Sequence, residues 1–394
     1  MTVAVYCQHV LGVGHFFRSL EICRALAPRP VVLITGGPPV AADLPGHVRE
    51  VRLPPLVMDE RFSELRPAEP GADLEAVRRE RRRLLAELFA ALAPEAFVVE
   101  LYPFGRKAFA FELEPLLAGY GRRAGGRGLA VCSVRDVLVE KRSVAAHEER
   151  VVAALNRDFD GVLVHADPRV IRLEETFGRV RDIAPPVVYT GFVTPRPPPG
   201  ARERVRAALG LGAADRLVVA SAGGGSVGGS LLEAVLAACG RLPRPPRVVL
   251  RVFTGPFLPE EDFRRLERAA VLLEAQVERF RRDFLSWLAA ADLSVSLGGY
   301  NTTMNLLAAG VPALIWPFPQ NREQRLRGER LQALGALRVL ADEDLDPARL
   351  AAAMASMLAK PPAPPAARVD LEGARATAAW IEERLRGRPG RRGS

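Results

Sequence analysis

Short apolar runs recur along the chain, separated by stretches with helical spacing. "TVAVYC" (Thr2–Cys7) reads as a strand, and "FFRSLEICRALA" repeats apolar residues at Phe16, Leu20, Cys23 and Leu26, the period of a helix face. "PVVLITG" (Pro30–Gly36), "AFVVEL" (Ala96–Leu101), "GLAVCSV" (Gly128–Val134), "GVLVHA" (Gly161–Ala166) and "PVVYTG" (Pro186–Gly191) read as further strands. The alternation stops at "TPRPPPGARERV", from Thr194, where prolines favour a stiff, extended connector. It resumes with "RLVVASA" (Arg216–Ala222), helix "SLLEAVLAAC", strand "RVVLRVF" (Arg247–Phe253), a charged helix and a short strand near "AQVERF". Helix "DFLSWLAAA" and strand "LSVSL" (Leu293–Leu297) follow. Strands that are apolar throughout and alternate with helices form parallel sheets covered on both faces. The expected class is therefore α/β, with two doubly wound, Rossmann-like domains. We expect them at 1–193 and 203–360, joined by a proline-rich hinge at 194–202 and facing each other across a cleft at the carboxyl ends of both sheets. A second proline cluster, "KPPAPPAA", precedes a last helix in 361–387, and a tail at 388–394 has nothing to pack.

Composition agrees with two globular domains. The chain has 394 residues, more than one ordinary core holds, with 48% hydrophobic and 26% charged residues. No apolar run approaches the ~18 residues of a membrane span. The N-terminus carries no basic residue before its apolar stretch, so no secretory signal is expected and the cytoplasm is the expected location. Cys7, Cys23, Cys132 and Cys239 form no CxxC pair and read as reduced, buried thiols. A net charge of +9 favours anionic ligands or surfaces. In "RRERRRLLAELFAAL" (Arg78–Leu92), Leu84, Leu85, Leu88, Phe89 and Leu92 share a helical stripe with the arginines ahead of it. That pattern reads as a solvated helix end, with peripheral contact to an anionic membrane as the sharper alternative. No aromatic residues interleave with the basic runs, which argues against nucleic acid as a partner.

The chemistry concentrates in a few loops. "SLGGYNTTMNLLAAGVPALIWPFPQNREQ" (Ser296–Gln324) breaks a strand with Gly298 and Gly299 and then opens a helix. The first N–H groups of a helix lack internal partners, and with the helix dipole they suit a diphosphate. Asn301, Thr302 and Thr303 can cap that helix and also donate to phosphate oxygens; plain capping is the bland alternative. Ala222–Gly229, "AGGGSVGG", lies at the same sheet edge and also opens a helix. Gly223, Gly225 and Gly228 spell G-x-G-x-x-G, yet the next strand ends "VFTGPFLP" with no acid until Glu260, which disfavours a dinucleotide site. Past the helix, Gln320, Asn321, Arg322, Glu323 and Gln324 place a carboxylate beside amides, a set suited to sugar hydroxyls. In the first half the turn Gly12-Val13-Gly14-His15 presents His15, whose pKa lies near neutral, as a proton carrier. Glu100, at the end of "AFVVEL", is a second candidate base. Arg106 could bind an anionic acceptor, and Arg135 and Asp136 are similarly placed. His9 and His165 read as packing or turn residues.

These loops resemble those of the GT-B glycosyltransferases, close to the MurG-type enzymes that use UDP-N-acetylglucosamine. "HVLGVGHFFRSLEICRAL" taken with "GGYNTTMNLLAAGVPALIWPFPQNREQ" is similar to a bacterial group of MurG-like glycosyltransferases. The resemblance implies that Gly224, Gly225 and Ser226 line the donor diphosphate. It implies that Gly299, Asn301, Thr302 and Thr303 meet its α-phosphate, that Glu323 and Gln324 face the donor sugar, and that the segment Val277–Phe280 passes the nucleobase, with Phe280 at its end. Asn305 stands where MurG-type enzymes carry a glutamate on the ribose. Gly12, Gly14, Arg18, Arg106 and Arg135 fall on the acceptor side. The last helix, near Trp380, would cross back onto the first domain. The implied activity is sugar transfer from a nucleoside-diphosphate donor, a UDP-sugar foremost, to a small-molecule or lipid-linked acceptor. No DxD pair appears in the central region, so the transfer is expected to be independent of metal, to need no cofactor and to invert the anomeric centre. His15 or Glu100 would deprotonate the acceptor. A nucleotide-sugar epimerase or hydrolase on the same scaffold, and a non-catalytic nucleotide-binding module, are the competing readings.

Overall fold

Valine, isoleucine, leucine and alanine fill the central strands so completely that several are buried along their whole length, β1 (Val3–Cys7) among them. Such strands need helices on both faces. The computed structural model describes residues 2–9, 13–58, 65–123, 125–138, 144–225, 227–359 and 369–386. The chain divides into two units: one formed by residues 1–193 with the segment from Asp370, the other by Thr194–Val369.

In the first unit β1 is followed by α1 (Gly14–Ala25), β2 (Val31–Thr35) and β3 (Val48–Arg52). A hairpin of β4 (Leu56–Met58) and β5 (Leu65–Pro67) leads to α2 (Leu74–Leu92), β6 (Ala96–Glu100) and α3 (Ala110–Leu117). The unit continues through β7 (Leu129–Arg135), α4 (Val144–Asp158), β8 (Gly161–His165) and β9 (Val187–Tyr189). The sheet runs β3-β2-β1-β6-β7-β8-β9 with every pair parallel. Strand order reverses between β1 and β6, so a crevice opens at their carboxyl ends, where doubly wound sheets take ligands.

The second unit repeats the plan. It runs α5 (Ala201–Ala208), β10 (Arg216–Ser221), α6 (Gly229–Cys239), β11 (Val248–Phe253), α7 (Glu260–Ala270), β12 (Ala275–Glu278) and α8 (Phe284–Ala290). Then come β13 (Leu293–Leu297), α9 (Tyr300–Ala309), β14 (Ala313–Trp316), α10 (Arg322–Ala333), β15 (Arg338–Val339) and α11 (Pro347–Leu358). The strand order is β12-β11-β10-β13-β14-β15, again all parallel. Its switch point lies between β10 and β13. Val218, Ala220, Leu231, Val235, Leu250, Val252 and Val295 build its core.

The last helix, α12 (Gly373–Arg386), packs on α1, adding Trp380, Ile381 and Leu385 to the core around Phe16 and Leu20. Arg29 clamps Glu382 through two hydrogen bonds of 2.5 and 2.7 Å. Among the described residues no helix is long and apolar enough to cross a membrane.

One charged residue departs from the sequence reading. Helix α2 begins at Leu74, capped by Asp73, whose carboxylate accepts from the Ala76 N–H at 2.8 Å. Arg81 does not sit in a solvated helix end but is fully buried, sharing a face with Leu85 and Phe89. Its guanidinium donates to both oxygens of buried Glu112 (2.8 and 2.6 Å), to Gln8 Oε1 (2.9 Å) and to the Pro54 carbonyl (2.7 Å). Tyr6 donates to the same carboxylate. The i, i+4 spacing of Arg81 with Leu85 placed it on the buried stripe, but only tertiary structure supplies the acid that makes burial tolerable. Removing one partner of such a pair leaves a buried charge uncompensated. Glu112→Gln is therefore expected to destabilise the first unit by about 3–5 kcal/mol, read from chemical denaturation.

Candidate donor and acceptor sites

The loop after β10 needs glycine for two separate reasons. Gly223, Gly225 and Gly228 have φ of +64°, +87° and +101°, which side-chain-bearing residues rarely adopt. Gly225 also meets a second loop at close quarters: a Cβ there would stand 2.4 Å from the Thr254 carbonyl oxygen. Gly255, in that second loop, would place its own Cβ 2.4 Å from the Gly223 oxygen. The two backbones are further joined by the Phe257 N–H donating to the Gly224 carbonyl at 3.0 Å. Gly255 and Phe257 were not among the sequence candidates; the "TGPF" that ends the next strand was the available signal. Ser226 lies outside the described residues.

Helix α9, like α1, α3, α5, α6, α7 and α8, starts without a side-chain cap. Its N-cap is Gly299, with no side-chain cap, whereas Asp73, Asn321 and Asp346 cap α2, α10 and α11 through their side chains. The sequence allowed Asn301, Thr302 and Thr303 to act as caps. They lie instead inside the first turn, and only the Thr303 N–H has a backbone acceptor, the Gly299 carbonyl at 2.9 Å. Thr302 is buried, and Thr303 is fully buried with Oγ1 left without a hydrogen bond. A Cβ on Gly223 would lie 3.4 Å from Thr302 Oγ1, and one on Gly299 would meet nothing within 4 Å. The two glycine loops thus converge at the switch point, with open space in front of an uncapped helix terminus.

The remaining donor candidates surround this point unequally. Asn321 caps α10 by accepting from the Gln324 N–H at 3.1 Å. Gln324 packs against Gly298 and accepts from the Phe318 N–H at 3.0 Å. Glu323 is half-buried in the first turn of α10. Asn305 Oδ1 accepts from Thr194 Oγ1 at 3.2 Å, so its oxygen is already engaged within the unit. Phe280 is exposed at the end of β12, and Phe257 is exposed beside Gly224.

The first unit brings His15 and Glu100 together. His15 enters on the first turn of α1, after β1; Glu100 ends the neighbouring β6. His15 Nδ1 lies 2.7 Å from Glu100 Oε1, and Arg18, one turn further along α1, donates to the same oxygen. Nδ1–H therefore donates to the carboxylate, and Nε2 keeps its lone pair. Burial pushes the His15 pKa down to about 4 against the pull of Glu100, with Arg106 and Arg18 adding to the fall. Burial pushes Glu100 up, but His15, Arg18 and Arg106 outweigh it and hold its carboxyl well below the usual range. At neutral pH the pair is a neutral imidazole held by a carboxylate, the form of a general base.

Arg106 reaches this cluster from a tight turn. Leu101 and Arg106 have φ of +65° and +57°, and the Gly105 N–H donates to the Leu101 carbonyl at 2.7 Å. Left-handed conformation at non-glycine residues is strained and collects at functional sites. Arg106 Nε is buried without a hydrogen bond. Arg135 is half-buried at the end of β7, its Nε donating to the Val137 carbonyl at 3.1 Å, and Asp136 is buried beside it. Gly14 opens α1, while Gly12 lies outside the described residues. His165 is buried between Ser133 Oγ (2.7 Å) and Thr190 Oγ1 (2.9 Å), and burial lowers its pKa to about 3. His9 meets the Pro38 carbonyl at 2.7 Å and packs edge-on against Phe16. All four cysteines are buried and free.

Residues 219–382 match the glycosyltransferase family 28 C-terminal domain. The UDP-N-acetylglucosamine–N-acetylmuramyl-(pentapeptide) pyrophosphoryl-undecaprenol N-acetylglucosamine transferase of Alkalilimnicola ehrlichii is 31% identical over 142 residues. That stretch covers 35% of this chain and 39% of the relative, so the chain matches about two fifths of the length of such relatives. The crystal structure of MurG from Acinetobacter baumannii aligns over 97% of this chain and 99% of its own, with a TM-score of 0.57 at 14% identity. The kitacinnamycin glycosyltransferase aligns over 98% and 99%, with a TM-score of 0.60 at 18% identity. At such identities the structural likeness establishes the fold, and the sequence match lies in the second half of the chain. The chain therefore has the GT-B fold, and its residues 219–382 match the C-terminal domain of glycosyltransferase family 28.

Proposed function

We propose that this chain transfers a sugar from a nucleoside-diphosphate donor, a UDP-sugar foremost, to an acceptor hydroxyl, with inversion at the anomeric carbon. The observation that carries this reading is the convergence of Gly223 on Thr302 in front of the uncapped start of α9. A departing diphosphate gathers negative charge as the glycosidic bond breaks. Fixed N–H groups and the dipole of α9 are aimed at that charge, and they need no rearrangement as it develops. The main-chain amides of the loop around Gly224 and Gly225 approach from the other side, and Ser226 belongs to the same loop. Asn301, Thr302 and Thr303 add side-chain donors. Glu323 and the Gln324 amide face the sugar. The names of the curated relatives, which specify a UDP-sugar and a pyrophosphoryl-undecaprenol acceptor, favour UDP and a lipid-linked acceptor here.

In the first unit His15 Nε2 takes the proton of the attacking hydroxyl. Glu100 holds the ring in the required tautomer and stabilises the imidazolium that forms. Gly14, Arg18, Arg106 and Arg135 border the acceptor, Arg18 chiefly by fixing Glu100. A single displacement by a deprotonated hydroxyl inverts the anomeric centre. The placement of cytoplasmic peripheral membrane work belongs to the same proposal, since a lipid-linked acceptor is met at a bilayer surface.

Two measurements test the donor assignment. Thr302→Glu puts a carboxylate where the phosphate is to sit. UDP affinity by calorimetry should fall at least about ten-fold while the melting midpoint of the free protein holds; unchanged affinity overturns the donor site. Since helix amides meet the diphosphate charge, UDP affinity and turnover should survive excess chelator; a loss restored only by Mg²⁺ or Mn²⁺ would count against the reading.

For the base, His15→Ala should lower turnover by about 10²–10⁴-fold with donor affinity unchanged. The base works when unprotonated, so the rate should fall as pH drops through about 4 rather than near the ordinary histidine value. Arg106→Gln removes a cation that disfavours protonated His15, so this acid limb should move to higher pH.

A further inference from the structure

We propose that His165 is a positioning residue for the base: by accepting the Ser133 hydroxyl proton it keeps that donor off Glu100, whose charge is then left for His15. This rests on His15 as the proton acceptor proposed above. Glu100 Oε1 takes His15 and Arg18, whereas Oε2 is buried with no hydrogen bond among the described residues. A buried carboxylate oxygen without a donor is costly and calls for a cause. A donor stands in the next strand. Ser133 of β7 is the register partner of Glu100, yet no hydrogen bond joins them.

The placement follows from the strand period. Val98, Val131 and Leu163 belong to the core that packs with α1, and Val188 lies against it. Two residues on, the same face of each strand carries Glu100, Ser133, His165 and Thr190. Four polar side chains thus end one sheet face at its carboxyl edge, and all four are buried.

Hydrogen accounting fixes where the protons lie. The Thr190 hydroxyl has the Val164 and Gly191 carbonyls as acceptors, at 3.3 and 3.4 Å. Donating there, it accepts from His165 Nδ1–H at 2.9 Å. Nε2 then holds a lone pair and accepts the Ser133 O–H at 2.7 Å. Every proton of the row has an acceptor. The opposite tautomer makes Ser133 the acceptor and leaves its hydroxyl proton with none among the described residues. His165 stays neutral because burial lowers its pKa to about 3, with Arg18 adding to the fall and Glu100 opposing it.

The titratable and charged groups facing Glu100 are His15 and Arg18 on α1, Arg106 after β6, Cys7 on β1, Cys132 on β7 and His165 on β8. The thiols stay protonated, since burial pushes Cys7 up to about 12 and Cys132 well above its usual value. The carboxylate's charge therefore answers to His15 and the two arginines. A hydroxyl on Oε2 would draw off part of it and weaken the hold on the imidazolium as that cation forms.

Histidine-ring ¹⁵N NMR of the full chain, with lines assigned by single substitutions, tests this without any acceptor. His165 should carry its proton on Nδ1, and a proton on Nε2 overturns the inference. In His165→Leu the Ser133 hydroxyl turns to Glu100, so the His15 pKa should fall by about 1. In Ser133→Ala/His165→Leu it should return to the wild-type value, and in Ser133→Ala alone it should not move. An equal fall with and without Ser133, or no fall at all, overturns the inference. Should the leucine variants not fold, the wild-type tautomer and Ser133→Ala decide, and a His15 pKa moved by Ser133→Ala alone overturns it. Turnover retained in His15→Ala overturns the base assignment instead and leaves these titrations as they are.

Discussion

Among the described residues the Asn301 and Thr302 amides at the start of α9 have no backbone acceptor, and the end of the second unit's sheet is built around them. A helix begins with N–H groups that its own turns cannot satisfy, and in α2, α10 and α11 aspartate or asparagine supplies the missing oxygen. At Gly299 nothing does. Gly298 and Gly299 let β13 turn into the helix without a side chain in front of the amides, and the open space before Gly299 follows from that. The glycine loop of β10, braced backbone against backbone by Thr254 and Gly255, closes the other side. The β10 loop and the Gly255 loop tolerate no side chain where they meet, so that part of the geometry is fixed by where glycine occurs.

The first unit works with buried charge instead. Glu100 is fully buried, which by itself would favour its protonated form, and His15, Arg18 and Arg106 reverse that. Burial, with a smaller push from the same cations, keeps His15 neutral. A carboxylate that stays ionised beside an imidazole that stays neutral is what a proton acceptor needs, and it is obtained here from two arginines on different elements. Arg81 and Glu112 follow the same logic beneath the loop after β1: Arg81 holds Gln8 in that loop and the Pro54 carbonyl on the chain after β3. The strained turn from Leu101 to Arg106 is tolerated because the sheet fixes its start, with the Leu101 N–H bonded to the Ser133 carbonyl at 2.7 Å.

This contrast explains what the sequence disclosed. Uninterrupted apolar strands and their alternation with helices made the α/β class legible. The strands that escaped were those with polar or short patterns, such as β3, whose Val48–Arg52 is only partly buried at the sheet edge. The glycine loops were legible because a backbone site leaves its mark as glycine at fixed spacing. Gly255 was overlooked because its reason for being glycine lies in a contact with Gly223 and Gly224, far away in sequence. Thr302 and Thr303 drew notice in the sequence but could not be placed, since "NTT" after "GGY" fits capping equally well until the helix start is known.

The acceptor side left fainter marks for the same physical reason. Its groups act through charge, and charge acquires meaning only from what surrounds it. His15 could be singled out by residue type, yet its pairing with Glu100 depends on β1 and β6 being neighbours, a consequence of the reversal in strand order. Arg18 looks like any arginine on an exposed helix turn until Glu100 is seen against it. Arg81 misled the reading of α2 because an arginine with a buried acid and an arginine in water have the same sequence signature. A diphosphate site made of main chain can be read one residue at a time, whereas a proton-transfer site made of side chains exists only as a set.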